Sequence, residues 1–292
     1  MSDSGEWSYY AYKPSYGLAY MGIACFAVLF LVQAGLLARY RTYYMIPFLI
    51  GMLGETLGYA FRRVSSDHLT GRGKALGFYV CQELLLILSP AFMCASYYMC
   101  FGRLIQFVGE TWTPIPSKWV TATFVTVDVV SIVVQGAGGS LFASDDPDTF
   151  SKAKPILLVG FIIQIIGLGL FSIFAGIYHL RARRAAVPPG GWTKCLYTLY
   201  AGCVCVLVRG IFRTIEFGTG TGGDEKGYLL SIEAWLYGLE FAPILLAGII
   251  LSLSYPGRYV PSRRQMRRSP KSATSETLPL SHSGSNPVKE AA

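Results

Sequence analysis

Seven long apolar segments dominate the sequence and restrict its fold more than any other feature. They run roughly over Tyr16–Ala38, Tyr43–Phe61, Ala75–Phe101, Trp119–Leu141, Pro155–His179, Cys195–Phe217 and Tyr228–Leu253. A helix needs about 20 apolar residues to cross the hydrocarbon core of a bilayer. Because backbone groups in lipid must be hydrogen-bonded internally, we expect each segment to be helical. The sequence therefore predicts an all-α polytopic membrane protein, a bundle of seven transmembrane helices.

Composition and charge agree with a membrane location. Of the 292 residues, 52% are hydrophobic and only 14% are charged. With the amino terminus outside, the cytoplasmic segments hold fifteen lysines and arginines and the outer segments hold eight. This bias predicts an outer amino terminus and a cytoplasmic carboxyl terminus. We expect an extracellular leader at residues 1–14 without a cleavable signal peptide, a transmembrane domain at 15–255, and a disordered basic cytoplasmic tail at 256–292.

The second segment carries a file of polar side chains in the stretch Gly51–Arg63, GMLGETLGYAFRR. Glu55, Tyr59 and Arg62 follow at steps of four and three, so a helix places them on one face. Three glycines in the same stretch allow a neighbouring helix to approach closely. An ionisable residue in a span costs several kcal/mol (~3 kcal/mol on insertion scales) unless it faces protein or water, so this face needs partners.

Other spans supply suitable partners, and most of them lie towards the outer side of the predicted membrane. In the fourth span Asp128 and Gln135 share a face, and in the seventh Glu233 and Glu240 do. We expect an outward-open polar cavity for an amphipathic ligand with a cationic head; the alternative is a set of ion pairs that only fix helix packing. The candidate ligand-binding residues are Glu55, Tyr59, Arg62, Glu83, Asp128, Gln135, Arg209, Arg213, Glu216, Glu233, Tyr237 and Glu240.

Acids in the spans outnumber bases by six to four, which leaves about two carboxylates for a ligand cation or a proton. Glu233 and Glu240 are the best candidates, because the seventh span has no basic residue. The alternative is that the arginines of the sixth span reach both acids. We expect at least one of two pairs, Arg213–Glu216 and Glu55–Arg62, to be purely structural.

The sequence gives no indication of an enzyme, a cofactor or a metal site. Asp128 is the only aspartate within a span, so a pair of catalytic aspartates on facing helices is absent. The three histidines lie in a loop, at a span end and in the tail, where they do not form a metal-binding pair. The glycine-rich loop after the sixth span lacks the spacing of a phosphate-binding loop. The net charge of +8 follows from topology, so we expect no nucleic-acid partner.

A seven-helix receptor or sensor for a lipid-like ligand is the alternative to a transporter. Against the best-known receptors, the third span does not end in an acid–arginine pair, and the seventh lacks an N-P-x-x-Y motif. A retinal protein would need a lysine in the seventh span, and there is none. The oligomeric state is left open by the sequence.

Several ordered motifs resemble the fungal lipid-translocating exporter family, the RTA-like seven-span proteins named for aminocholesterol resistance. They are E-x-x-G-Y-x-x-R at Glu55, Gly58, Tyr59 and Arg62; D-x-x-S-x-x-x-Q-x-x-G-G at Asp128, Ser131, Gln135, Gly138 and Gly139; R-x-x-F-R-x-x-E-F at Arg209, Phe212, Arg213, Glu216 and Phe217; and a last span with Glu233, Pro243 and Pro256–Arg258. The resemblance covers residues 15–260. One departure is Glu240, where an aspartate about two residues before the proline is expected.

This resemblance implies a function in handling membrane lipids. Members are linked to release of sphingoid long-chain bases, resistance to toxic sterol analogues and, in some cases, porphyrin handling. The implied location is the plasma membrane, with vacuolar or other endomembranes as alternatives. The implied partners are membrane lipids and an amphipathic small molecule.

Overall fold

Seven long helices make up the part of the chain that the structure describes. The computed structural model describes residues 16–65, 74–113, 116–141, 147–185, 191–219, 235 and 237–260, and these contain no β-strand. The helices are α1 (Tyr16–Tyr40), α2 (Ile46–Ser65), α3 (Lys74–Val108), α4 (Ser117–Leu141), α5 (Pro147–Arg184), α6 (Gly191–Thr219) and α7 (Ala242–Leu253). A π-helical turn, Tyr237–Phe241, precedes α7, and together with the chain to Arg258 they form the seventh span.

All seven spans are long and apolar enough to cross a membrane, which confirms the predicted fold class. Helices that follow one another in sequence pack side by side, and the most extensive contacts join α2 to α3 and α4 to α5. The helix α3 is central: 67% of the residues in its apolar stretch are buried, against 22% in α1 and in α4. The outer helices therefore present large apolar surfaces to lipid, as Leu31 and Val133 illustrate.

Glycines on α2 allow the close contact with α3 that the sequence predicts. A Cβ atom added at Gly51 would lie 2.7 Å from the carbonyl oxygen of Ser89, and one at Gly58 would lie 2.8 Å from Leu86 Cδ2. A Cβ at Gly54 would clash with the Ser89 hydroxyl. Each glycine thus removes a side chain where the α3 surface needs the room, and the two helices form one unit.

The end of the bundle opposite the polar cluster has a compact aromatic core. Phe101 of α3 makes edge-to-face contacts with Phe171 and Tyr178 of α5, at ring-centroid distances of 5.4 and 5.6 Å. Such pairs add stabilisation beyond their buried area. The bundle closes where α1 meets α7, because Gln33 Nε2 donates to the Ser252 hydroxyl at 2.9 Å. The charged and the apolar ends are therefore held by different interactions.

Candidate functional site

Arg213 is the centre of a buried cluster of charged residues. Its Nη1 donates to Glu83 Oε2 at 2.9 Å and to Glu216 Oε2 at 3.1 Å. Its Nε donates to Glu240 Oε1 at 2.7 Å, and its Nη2 donates to the same oxygen. These partners come from α3, α6 and the π-helical turn, and Arg213 itself is 1% exposed. One guanidinium thus ties three spans together, and the predicted Arg213–Glu216 pair is present.

Arg209, one turn earlier on α6, is the second arginine of this cluster. Its Nη2 lies 3.2 Å from Glu240 Oε1 and also donates to the backbone carbonyl of Leu86. In a regular helix the residue four positions later donates to that carbonyl, but here that residue is Pro90, which has no N–H. The side chain of Arg209 therefore takes the place of the missing helical donor.

The π-helical turn Tyr237–Phe241 brings Glu240 to both arginines. Pro243 lies two residues after the turn, and its missing N–H together with its bulky ring disfavours a regular α-helical turn before it. Such wide turns occur frequently at functional sites. The pairing decides between the two expectations for Glu240: it is the shared partner of two arginines of the sixth span, and not a carboxylate left over for a ligand.

Glu55 lies beside this cluster without an ion pair of its own. It is 2% exposed, and its Oε1 makes no hydrogen bond. Arg209, Arg213 and Glu240 are all close enough to act on it electrostatically. Tyr59, one turn further along α2, is fully buried and stacks its ring 5.6 Å from that of Phe26.

Arg62 and Tyr237 extend the polar face of α2 towards the seventh span. The guanidinium carbon of Arg62 lies 5.9 Å from the centre of the Tyr237 ring, a cation–π arrangement. Tyr237 in turn lies 6.1 Å from the Tyr59 ring. These residues connect the predicted file on α2 to the predicted stripe of the seventh span, of which Glu233 lies outside the described residues.

Asp128 and Gln135 on α4 are buried but do not join the arginine cluster. Gln135 donates to Gln164 Oε1 and to the Ser131 hydroxyl, both at 2.9 Å, so it holds α4 to α5. The carboxyl group of Asp128 faces the Tyr98 hydroxyl and has no ion pair. Of the eleven candidate residues that the structure describes, these two therefore lie apart from the cluster.

Two partners of the cluster were not predicted. The Leu86 carbonyl is a backbone acceptor, and only the proline four residues after it shows in the sequence that it lacks a donor. Gln82 is fully buried and its Nε2 donates to Glu83 Oε1 at 3.1 Å. The sequence signal for Gln82 is its position directly before Glu83 in the third span. Without the contact between α3 and α6, that signal did not identify it as part of the cluster.

The cluster has more acids than bases. Among the described residues its carboxylates are Glu55, Glu83, Glu216 and Glu240, its paired guanidiniums are Arg209 and Arg213, and Arg62 is near. The acids therefore exceed the bases by one even with Arg62 counted. Such a site favours a cationic or proton-donating group. Within the described part of the chain, no group of acids, histidines and cysteines is arranged to hold a metal ion.

Comparison with known protein families identifies the family of this chain. The family model described as "RTA1 like protein" matches residues 48–263, nearly three quarters of the sequence and all of the charged cluster. The chain belongs to the RTA1-like family. This confirms the resemblance drawn from the motifs on α2, α4, α6 and the seventh span.

Several curated relatives of this RTA1-like protein come from Saccharomyces cerevisiae. Protein RTM1 is 33% identical over 211 residues, covering 70% of this chain and 65% of the relative. Protein RTA1 is 30% identical over 216 residues, covering 72% and 65%. The sphingoid long-chain base transporter RSB1 is 21% identical over 297 aligned positions, covering 88% and 76%. The chain thus spans about two thirds of the length of RTM1 and RTA1. No solved structure matches it.

Proposed function

We propose that this RTA1-like protein is a transporter or translocase of amphipathic lipids, such as sphingoid long-chain bases or sterol analogues, and that it protects cells from toxic lipids. The observation that carries the proposal is the buried cluster around Arg213, with an excess of carboxylates at the end of the bundle opposite its aromatic core. A ligand with a cationic head and a hydrocarbon tail matches both the acidic cluster and the apolar part of the bundle.

The relatives support the same substrate class. RSB1 is named a transporter of sphingoid long-chain bases, whose amino group is cationic and whose tail is apolar. We place the protein in the plasma membrane, as the resemblance to its family implies. Its lysine and arginine distribution favours an amino terminus outside. In that orientation the cluster lies towards the outer face, because α2 and α6 end there and α3 begins there.

Glu55 is the carboxylate best suited to bind the head group. Glu83, Glu216 and Glu240 each form an ion pair with an arginine, whereas Glu55 forms none and has an unsatisfied oxygen at the edge of the same cluster. An arriving ammonium group would replace the missing hydrogen bond and compensate the charge. The arginines hold the other acids in place, so they position the site and do not contact the ligand's cation.

Flux in reconstituted vesicles tests this proposal. The full chain is placed in lipid vesicles, and transfer of a labelled sphingoid base is compared with that of a neutral sterol and with protein-free vesicles. We expect protein-dependent flux of the sphingoid base. Glu55→Gln keeps the shape of the side chain and removes its charge, so it should reduce flux of the base more than flux of the sterol. Glu110→Gln, on the exposed connection before α4, is the matched control and should change neither.

The same experiment separates a transporter from a receptor. Saturable binding of the sphingoid base, lost in Glu55→Gln, without any protein-dependent flux would favour a lipid sensor. Absence of both binding and flux would refute the substrate class.

A further inference from the structure

A second buried polar site lies on α4, away from the arginine cluster. Asp128 is 2% exposed, and neither of its carboxylate oxygens makes a hydrogen bond of normal geometry. It is the twelfth residue of the 25-residue helix α4, so at 1.5 Å per residue it lies about 16 Å from the start, near the middle of the span. A carboxyl group thus lies deep in the bundle, with the Tyr98 hydroxyl beside it.

The groups that face Asp128 are uncharged or weakly acidic. On α3 they are the Tyr98 hydroxyl, which itself lacks a partner of normal geometry, and the Cys94 thiol. On α6 the facing group is the Cys203 thiol. On the α5 side the neighbouring Ser131 hydroxyl is already engaged, because it donates to the Gly160 carbonyl at 2.9 Å.

The arginines reach this region only at its edge. Arg209 acts electrostatically on the Cys94 thiol, but it makes no ion pair with Asp128. This differs from Glu240, whose charge is compensated by two guanidiniums. A carboxylate without a counter-charge in a low-dielectric interior is very unfavourable, and it is neutralised by binding a proton. Ca²⁺ and Mg²⁺ take six or more oxygen ligands, and among the described residues no group of acids, histidines and cysteines is arranged to hold a metal ion.

We propose that Asp128, with the Tyr98 hydroxyl beside it, is a proton-binding site whose loading and unloading are coupled to lipid movement. This rests on the proposed function, since it names the ion that would drive it. One proton from the aqueous phase on one side joins a carboxylate oxygen, and the same proton leaves to the other side after the bundle rearranges. Tyr98 positions the carboxyl group and takes up no net charge.

The first test measures the carboxyl group directly and does not depend on transport. Infrared difference spectra of the purified full chain, recorded between acidic and alkaline buffer in H₂O and D₂O, should show the C=O band of a protonated acid. We expect this band to be missing in Asp128→Asn and shifted in Tyr98→Phe. The band should persist in the matched control Ser131→Ala, which lies one turn away and faces α5. A band unchanged in Asp128→Asn would overturn the proposal.

The second test measures coupling. In vesicles, a pH gradient is imposed first with one polarity and then with the other. Each polarity should accelerate sphingoid-base flux by the wild type in one direction of transport. In Asp128→Asn, the ratio of flux with a gradient to flux without one should fall to one, whereas Asp128→Glu should retain an acceleration. A mere packing role would lower flux equally with and without the gradient, and that result would also overturn the proposal.

The two tests separate failure of this proposal from failure of the proposed function. Lipid flux that is insensitive to the gradient in the wild type would leave a lipid transporter without proton coupling at Asp128. An Asp128 band without lipid flux would leave the proton site and remove the transport function. If Asp128→Asn does not fold, Asp128→Glu and Tyr98→Phe give the same comparison through the band position and the gradient ratio.

Discussion

Arg209 on α6 donates a hydrogen bond to the backbone carbonyl of Leu86 on α3, the acceptor that Pro90 leaves without its helical donor. The same Nη2 atom is 3.2 Å from Glu240 Oε1. The irregular point of the central helix is therefore tied directly to the charge cluster. A rearrangement of α3 at the proline must alter the arginine, and a change at the cluster must alter α3.

Replacing Pro90 by alanine should weaken this link. Alanine restores the backbone N–H, which then competes with Arg209 for the Leu86 carbonyl. We expect folded protein with reduced lipid flux, and we expect Pro90→Ala combined with Arg209→Gln to be little worse than Arg209→Gln alone. A double-mutant cycle on flux and on the thermal unfolding midpoint measures this coupling. Pro155→Ala at an exposed position of α5 is the control; strictly additive effects of the first two changes would contradict the link.

Removing Arg213 should be among the most destabilising single changes in the chain. Arg213→Gln leaves three carboxylates without their shared cation, and breaking a buried pair from one side typically costs about 3–5 kcal/mol. Thermal unfolding in detergent should show a large loss of stability. Part of the loss should be recovered when Glu240→Gln is added, because fewer charges then remain uncompensated. Lys152→Gln, at an exposed site, should have no measurable effect.

The glycines of α2 give a prediction with a matched control. A Cβ at Gly51 meets the Ser89 backbone carbonyl at 2.7 Å, and backbone cannot move aside cheaply. Overpacking of this kind costs about 1–3 kcal/mol, so Gly51→Ala should lower the unfolding midpoint. A Cβ at Gly136 on α4 meets nothing within 4 Å. Gly136→Ala should therefore be neutral, and equal effects of the two substitutions would argue against the close α2–α3 contact.

The orientation is tested by labelling of introduced cysteines in intact cells. In a background without the exposed native Cys81, a cysteine at Ser144 should react with an impermeant reagent, and one at Ser262 should react only after permeabilisation. Both positions lie outside the described residues. The reverse pattern would place the charge cluster at the cytoplasmic face.

Much of the architecture could be predicted, because its causes are local in sequence. Segment length and hydropathy predicted all seven spans, and helical spacing predicted that Arg213 and Glu216 would share a face. The partners across helices could not be derived in the same way. Helical spacing fixes which residues share a face, but it does not fix which neighbour that face meets. Gln135 therefore bonds Gln164 across α4 and α5, away from the cluster, and Glu240 pairs with two arginines, the alternative to a free carboxylate that its spacing left open.

The π-helical turn Tyr237–Phe241 has a consequence for comparing relatives. Such a turn holds one residue more than an α-helical turn, so it rotates the later part of the span by about 100° relative to the earlier part. In this chain the acid is Glu240, which lies within the turn, three positions before Pro243. A member of the family with a regular turn here would present an acid to the same arginines from a different sequence position. Alignments of this span are therefore best anchored on the residue that meets Arg209 and Arg213, with a gap permitted inside the helix.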